Sequence, residues 1–135
     1  MRKNVLAVLV GGALGSLLRY GINLGTLPFS FPFGTLLENI VGSFLLGILT
    51  GWFLYIKSPE WVKAGLGVGL CGGFTTMSTF AGDVFLMGSD TSVLLTFIYI
   101  ISSIVGGILF ALIGIVSGRM LAEKRLSVQK EGEVE

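Results

Sequence analysis

Apolar residues fall in four long blocks, separated by short polar stretches. The blocks cover residues 5–24, 35–56, 62–87 and 93–120. Each is about 20 residues or longer, the length a helix needs to cross the hydrocarbon of a bilayer. Strands of a membrane barrel would alternate apolar and polar positions over about ten residues. These blocks do not alternate, so the pattern predicts helices. The first connection, "GTLPFSFPFG", is marked by Pro28 and Pro32. The second, "KSPEWVK", is flanked by Trp52, Tyr55 and Trp61, as at a membrane interface. The third, "GSDTS", is a predicted turn. Residues 1–121 therefore read as one four-helix membrane domain, and residues 122–135 as a charged, disordered C-terminal tail.

Composition supports this reading. The 135 residues are 53% hydrophobic and 13% charged, against about 25% charged in soluble domains. Mean hydropathy is +0.89. The N-terminal "MRKNVLAVLVGGALG" resembles a secretory signal but lacks a small-residue cleavage site before Arg19, so it is read as a retained first span. The chain has no His, which excludes imidazole chemistry, and a single Cys, Cys71, which excludes an intrachain disulfide and a Cys cluster for metal.

Two polar patterns interrupt the apolar blocks. The second block carries Thr35, Asn39, Ser43, Gly47 and Gly51 at intervals of four, near one helix face. Asn39 is its deepest strong donor. Its amide serves either a structural bond between helices or a pair of N–H donors for an anion. The third block holds "GLCGGFTTMSTF", residues 69–80, where four hydroxyls follow a glycine pair. Glycines weaken the helix, and Ser and Thr take up the backbone groups that a break releases. An interruption is predicted at residues 72–76. Irregular backbone at membrane depth lines a cavity or is buried in protein, and broken helices in transporters bind ions at their ends. Phe80 has a ring edge able to face a small anion. Arg19 is fourteen residues into the first block, about 20 Å from Val5, either a snorkelling anchor or a positive vestibule. Glu38 and Asp83 sit uneasily with an anion path. Glycines also recur four apart: Gly11 and Gly15, Gly47 and Gly51, Gly65 and Gly69, Gly114 and Gly118. Such pairs bring helices close, either within one bundle or between subunits.

Three stretches, "GGALGSLLRY" (11–20), "GTLLENIVGSFLLG" (34–47) and "GLCGGFTTMSTF" (69–80), resemble the Fluc family of fluoride channels, also called CrcB proteins. The similarity spans about residues 5–120. It implies an all-α membrane protein with four transmembrane helices, the third broken mid-membrane, assembled as an antiparallel dimer with two fluoride pores at the seam. It places Asn39, Ser43, Ser78, Thr79, Phe80 and Met77 along the pore and Arg19 at the vestibule. It implies a structural sodium ion at the dimer axis, held by the backbone carbonyls of Gly72 and Thr75. The family pattern has Phe where this chain has Met77. A thioether is a weak acceptor and offers no ring edge, so the pore built with Met77 conducts poorly or serves as scaffold.

The implied activity is passive export of fluoride, not enzymatic turnover. The alternatives are a weakly conducting or non-conducting partner subunit of a heterodimeric channel, or a small proton-coupled multidrug exporter. The exporter needs a carboxylate in the first span, which residues 5–24 lack. Four spans put both termini and the middle loop on one side. That side carries Arg2, Lys3, Lys57, Lys63, Arg119, Lys124, Arg125 and Lys130, against Arg19 alone on the other. Positive loops stay cytoplasmic, so both termini are expected inside, in the plasma or inner membrane. A single preferred orientation opposes an antiparallel homodimer and favours pairing with an oppositely oriented homologue; both arrangements remain open at this point.

Overall fold

A computed structural model describes residues 1–90 and 92–132. The described residues are helical apart from short connections. The elements are α1 (Arg2–Thr26), α2 (Phe33–Tyr55), α3 (Glu60–Lys63), a π-helical stretch (Ala64–Cys71), α4 (Gly72–Phe74), α5 (Met77–Asp90) and α6 (Val93–Gly132). Three of the helices, α1, α2 and Val93–Gln129 of α6, are long and apolar enough to cross a membrane. The run from α3 to α5 is helical except at Thr75 and Thr76. Prolines mark the connections: Pro32 precedes α2 and Pro59 precedes α3, where a missing N–H costs nothing.

The helices associate as two pairs, each parallel. Ala7 of α1 meets Gly65, and Gly15, further along α1, meets Gly73 and Phe74. In the second pair Ile40 of α2 meets Gly106 of α6, and Gly51 meets Ile115 and Arg119. Sequence number rises together on both partners, as expected when alternate helices of an up-down bundle lie side by side.

All eight glycines of the four-apart pairs are buried, and their neighbours lie within the same chain. A Cβ on Gly47 would overlap the Ala111 carbonyl and lie 3.0 Å from the Ile115 nitrogen. A Cβ on Gly69 would lie 2.8 Å from the Val8 carbonyl oxygen. Backbone meets backbone at these positions, so even a methyl group has no room. The pairs therefore close the bundle itself, and the reading of them as packing between subunits is set aside.

Two expected boundaries shift. α6 does not end near Met120 with a disordered tail. It continues to Gly132, and residues 133–135 lie outside the described residues. Two contacts explain the continuation. Arg119 lies over the Tyr55 ring and Arg125 over the Trp52 ring, each 5.5 Å from the centroid, while Ala122 between them is fully buried. The Arg119 Nε also donates to Glu123 Oε1 at 2.8 Å, one turn on, a spacing that supports helices. The predicted turn over residues 88–92 is shorter than expected, since α5 runs to Asp90. Thr91 lies outside the described residues, and α6 begins at Val93.

Candidate functional site at the helix break

The interruption falls inside the expected 72–76 range but is confined to its end, at Thr75 and Thr76. Gly72 and Gly73 remain helical in α4. A Cβ on Gly73 would sit 2.5 Å from the Gly12 carbonyl oxygen, so this glycine serves close packing on α1 rather than a bend. The helix closes its last regular turn at Thr75, whose N–H donates to the Cys71 carbonyl at 2.9 Å and whose Oγ1 donates to the same oxygen at 3.0 Å. Thr75 then turns extended, with φ −81° and ψ 158°.

Asn39 on α2 takes over from there. The Thr76 N–H donates to Asn39 Oδ1 at 2.8 Å, and Asn39 Nδ2 donates to the Thr76 carbonyl at 2.9 Å. One amide side chain thus satisfies both backbone groups of a residue that belongs to neither helix. The buried Thr76 also caps α5. Its Oγ1 accepts the Thr79 N–H at 3.1 Å, the usual bond from an N-cap to the third helical residue. The same hydroxyl donates to Thr79 Oγ1 at 2.9 Å and lies 3.3 Å from Ser78 Oγ. Gly42, three residues after Asn39, lets this happen, because a Cβ there would overlap Thr75 Cγ2.

Rerouting these bonds has a consequence for the carbonyls. In a continuous α-helix the Gly72 oxygen would accept from the Thr76 N–H, and the Thr75 oxygen from the Thr79 N–H. Both amides are bound elsewhere. The two carbonyls that the family resemblance implies as ion ligands are therefore released from helical hydrogen bonding. Among the described residues no group of three or more acidic, Cys or His residues is placed to hold a metal ion. Carbonyl oxygens suit a hard cation such as sodium.

The predicted residues divide between two sides of the break. Asn39, Ser43, Gly72, Thr75 and Met77 line one open groove of about 300 Å³. Met77 is 74% exposed at its edge. Thr79 lines a second concavity of about 310 Å³ with Asn23, Thr35 and Asp83. Ser78 is exposed, and Arg19 is half-buried. Phe80 is buried, with its ring 5.3 Å from that of Tyr99 and tilted by 37°. Asp83 accepts a hydrogen bond from the fully buried Tyr99 hydroxyl at 2.9 Å. Glu38 is fully buried, and among the described residues neither carboxylate oxygen has a partner; the Ser103 hydroxyl is likewise buried and unpartnered among them.

Gly42 and Tyr99 were not singled out from the sequence, and Thr76 was counted only as one of the four hydroxyls at the break. For Thr76 a signal existed, since a Thr three residues before another hydroxyl and just after a glycine pair has N-cap spacing. Tyr99 gave none, as a lone Tyr inside "TFIYI" is indistinguishable from an interfacial ring.

Residues 6–115 match the family model described as CrcB-like protein, Camphor Resistance (CrcB). The chain belongs to the CrcB family. It is 52% identical over 123 residues to a protein of Halalkalibacterium halodurans named fluoride-specific ion channel FluC 2, covering 91% of each chain. It is 48% identical over 128 residues to the protein of that name in Bacillus subtilis, covering 93% of this chain and 96% of the other. A fluoride-specific ion channel FluC of Pyrococcus abyssi is 39% identical over 121 residues, covering 87% and 97%. The CrcB match and the apolar helices make this a multi-pass membrane protein. The match includes the whole break and ends before the helical extension that follows Arg119, so the contacts of Arg119 and Arg125 lie outside it.

Proposed function

We propose that the chain is a subunit of a passive, fluoride-selective channel that lowers cytoplasmic fluoride. One observation carries this reading: the amide of Asn39 holds open a polar break in an otherwise apolar bundle, beside a groove that Met77 and Ser43 also line. Fluoride is small and strongly hydrated. A path for it must replace water with hydrogen-bond donors and carry no full positive charge at its narrowest point, or the ion would not leave. Asn39 spends Oδ1 and one N–H on Thr76, which leaves its second N–H for an anion. The Ser43 hydroxyl adds a donor in the same groove, and the Thr79 hydroxyl lies in the concavity on the other side of the break. Arg19 draws anions towards the entrance. The names of the relatives agree with this assignment.

In this reading the run from α3 to α5 is a fourth crossing, broken at Thr75 and Thr76, and the groove becomes a pore when a second, antiparallel subunit covers it. The released Gly72 and Thr75 carbonyls, with the corresponding carbonyls of the second subunit, would hold sodium at the axis, where the ion would supply fixed positive charge between the subunits. The basic residues around the termini and the middle loop place both termini in the cytoplasm. That bias, the departure at Met77, and the numbered names of the Halalkalibacterium and Bacillus relatives favour a heterodimer with an oppositely oriented homologue. A proton-coupled exporter is disfavoured, because α1 carries no carboxylate.

Fluoride efflux from proteoliposomes, with chloride as control, tests the activity. The purified chain is assayed alone and together with a homologue of opposite charge bias. Flux only from the mixture supports the heterodimer. Robust flux from the chain alone, with a C-terminal label reached from both sides, rules it out. No fluoride flux from either preparation refutes the channel.

A further inference from the structure

A second groove lies against α1, away from the break. Its inner part, about 370 Å³, is walled by Val10 and Leu14 of α1 and by Leu66 and Leu70 of the π-helical stretch. Its outer part, about 500 Å³, ends at Lys3. The two parts share Ala7, Val10 and Trp61, so they form one continuous trough. From Lys3 to Leu14 is eleven residues, about 16 Å along a helix. That is close to half of a hydrocarbon core about 30 Å thick, the depth of one leaflet. Gly11 and Gly65 line its floor. The break groove is lined instead by Gly67 and Cys71, one residue on from Leu66 and Leu70, about a quarter turn around the helix.

Chemistry changes along the trough. Its depths are wholly apolar. Trp61 stands part-way up, half-exposed, an amphipathic ring suited to headgroup level. Lys3 at the mouth is exposed and has no carboxylate partner among the described residues. An acyl chain fits the apolar section, and an ammonium at the mouth complements a phosphate rather than a zwitterionic headgroup with its own cation. We propose that this trough binds one acyl chain of an anionic phospholipid, with Lys3 holding the headgroup. The inference rests on membrane insertion and not on fluoride conduction.

Trp61 is its own reporter. With Trp52→Phe it is the sole tryptophan. The protein is reconstituted in phosphatidylcholine vesicles containing increasing brominated phosphatidylglycerol, or brominated phosphatidylcholine as the comparison. Phosphatidylglycerol should quench Trp61 at a several-fold lower mole fraction. Lys3→Gln should remove that preference while leaving quenching by phosphatidylcholine unchanged, which also shows that the variant is folded. Val10→Phe, which narrows the trough, should weaken quenching by both lipids. Coincident curves for the two lipids in the Trp52→Phe protein, or a preference that survives Lys3→Gln, would overturn the proposal.

Discussion

The pair of α2 with α6 and the pair of α1 with the third helical run are built alike, yet only the second contains a break. Both run parallel, and both close on buried glycines whose neighbours are backbone atoms. In the first pair the helices continue unbroken through the contact. In the second the helix opens at Thr75 and Thr76, and the bonds it loses are replaced from outside by Asn39, a residue of the first pair. Close packing thus builds a rigid frame in both pairs, while polar side chains decide where the backbone departs from it. A broken helix in lipid survives only if each released group finds a partner. Thr76 finds both of its backbone partners on α2, so the unbroken pair holds the break in shape. The break is then a joint between the pairs, and substitutions can be sorted by whether they strike the joint or the frame.

The joint should be the more sensitive in function. Asn39→Asp puts an acceptor where Nδ2 donates to the Thr76 carbonyl. Two oxygens would face each other in a partly buried site, and a carboxylate there would also repel anions. Fluoride efflux should fall to the level of protein-free vesicles while gel filtration still finds a folded assembly. Normal efflux would show that the clamp is dispensable and that the two pairs are not coupled through it.

The frame should be the more sensitive in stability. Gly47→Leu drives a side chain into the backbone of α6 at Ala111 and Ile115. Overpacking of this kind costs about 1–3 kcal/mol and occasionally more, and backbone cannot step aside as a rotamer can. Thermal unfolding in detergent should show a clear loss, or no folded protein. Gly82→Ala in α5 is the control, because among the described residues no neighbour beyond its own helix backbone lies within 4 Å of the added methyl position. It should be neutral or gain up to about 1 kcal/mol from helix propensity. Equal effects at the two sites would mean that the glycine contacts do not hold the pair together.

Glu38 lies one residue from the joint and belongs to neither device. Its carboxylate is fully buried with no partner among the described residues, and an unsatisfied buried polar group costs about 1–3 kcal/mol. Glu38→Leu should therefore raise the unfolding midpoint. A lower midpoint would show that the carboxylate is engaged in the assembly by a group the single chain does not supply.

Much of the frame was legible in the sequence, because hydropathy and glycine spacing are local and periodic. The joint was legible only in part. The interruption was expected at residues 72–76, since glycines are the usual signal of a weak helix. But Gly73 is held straight by Gly12, and the break falls where side-chain partners compete successfully with the helix. Those partners are 37 residues apart in the chain, so no window along the sequence contains both. Asn39 was singled out as a donor on a polar face, with a structural bond kept as an equal alternative. Its amide makes the structural bond and still lines the groove. The helical tail was missed for a similar reason, since Arg119 and Arg125 are held by Tyr55 and Trp52 on another helix.

A smaller effect probes the cap within the joint. Thr76→Val removes the oxygen that accepts the Thr79 N–H but leaves both backbone bonds to Asn39. Loss of an N-cap typically costs about 1 kcal/mol. Thr76→Ser should restore it. A Val variant as stable as the parent would assign the whole joint to Asn39.

The mildest change falls on the rim. Met77 stands 74% exposed beside Asn39 in the break groove, at the position where the family pattern has Phe. Because the side chain is open within its own subunit, Met77→Phe disturbs neither frame nor joint, and the stability of the subunit should stay within about 0.5 kcal/mol of the parent. A ring would add a positive edge beside the Asn39 amide, where the thioether offers only a weak acceptor. Edge geometry between aromatic pairs contributes about 0.5–1.5 kcal/mol beyond burial. A ring edge of similar worth at the rate-limiting passage of fluoride would raise efflux about two- to twelvefold, measured in whichever assembly conducts. The direction matters more than the size. A rise would mean that this chain contributes a working pore weakened at one position. Unchanged efflux would mean that conduction in the assembly does not pass Met77, and that the groove beside Asn39 in this subunit serves as scaffold for its partner.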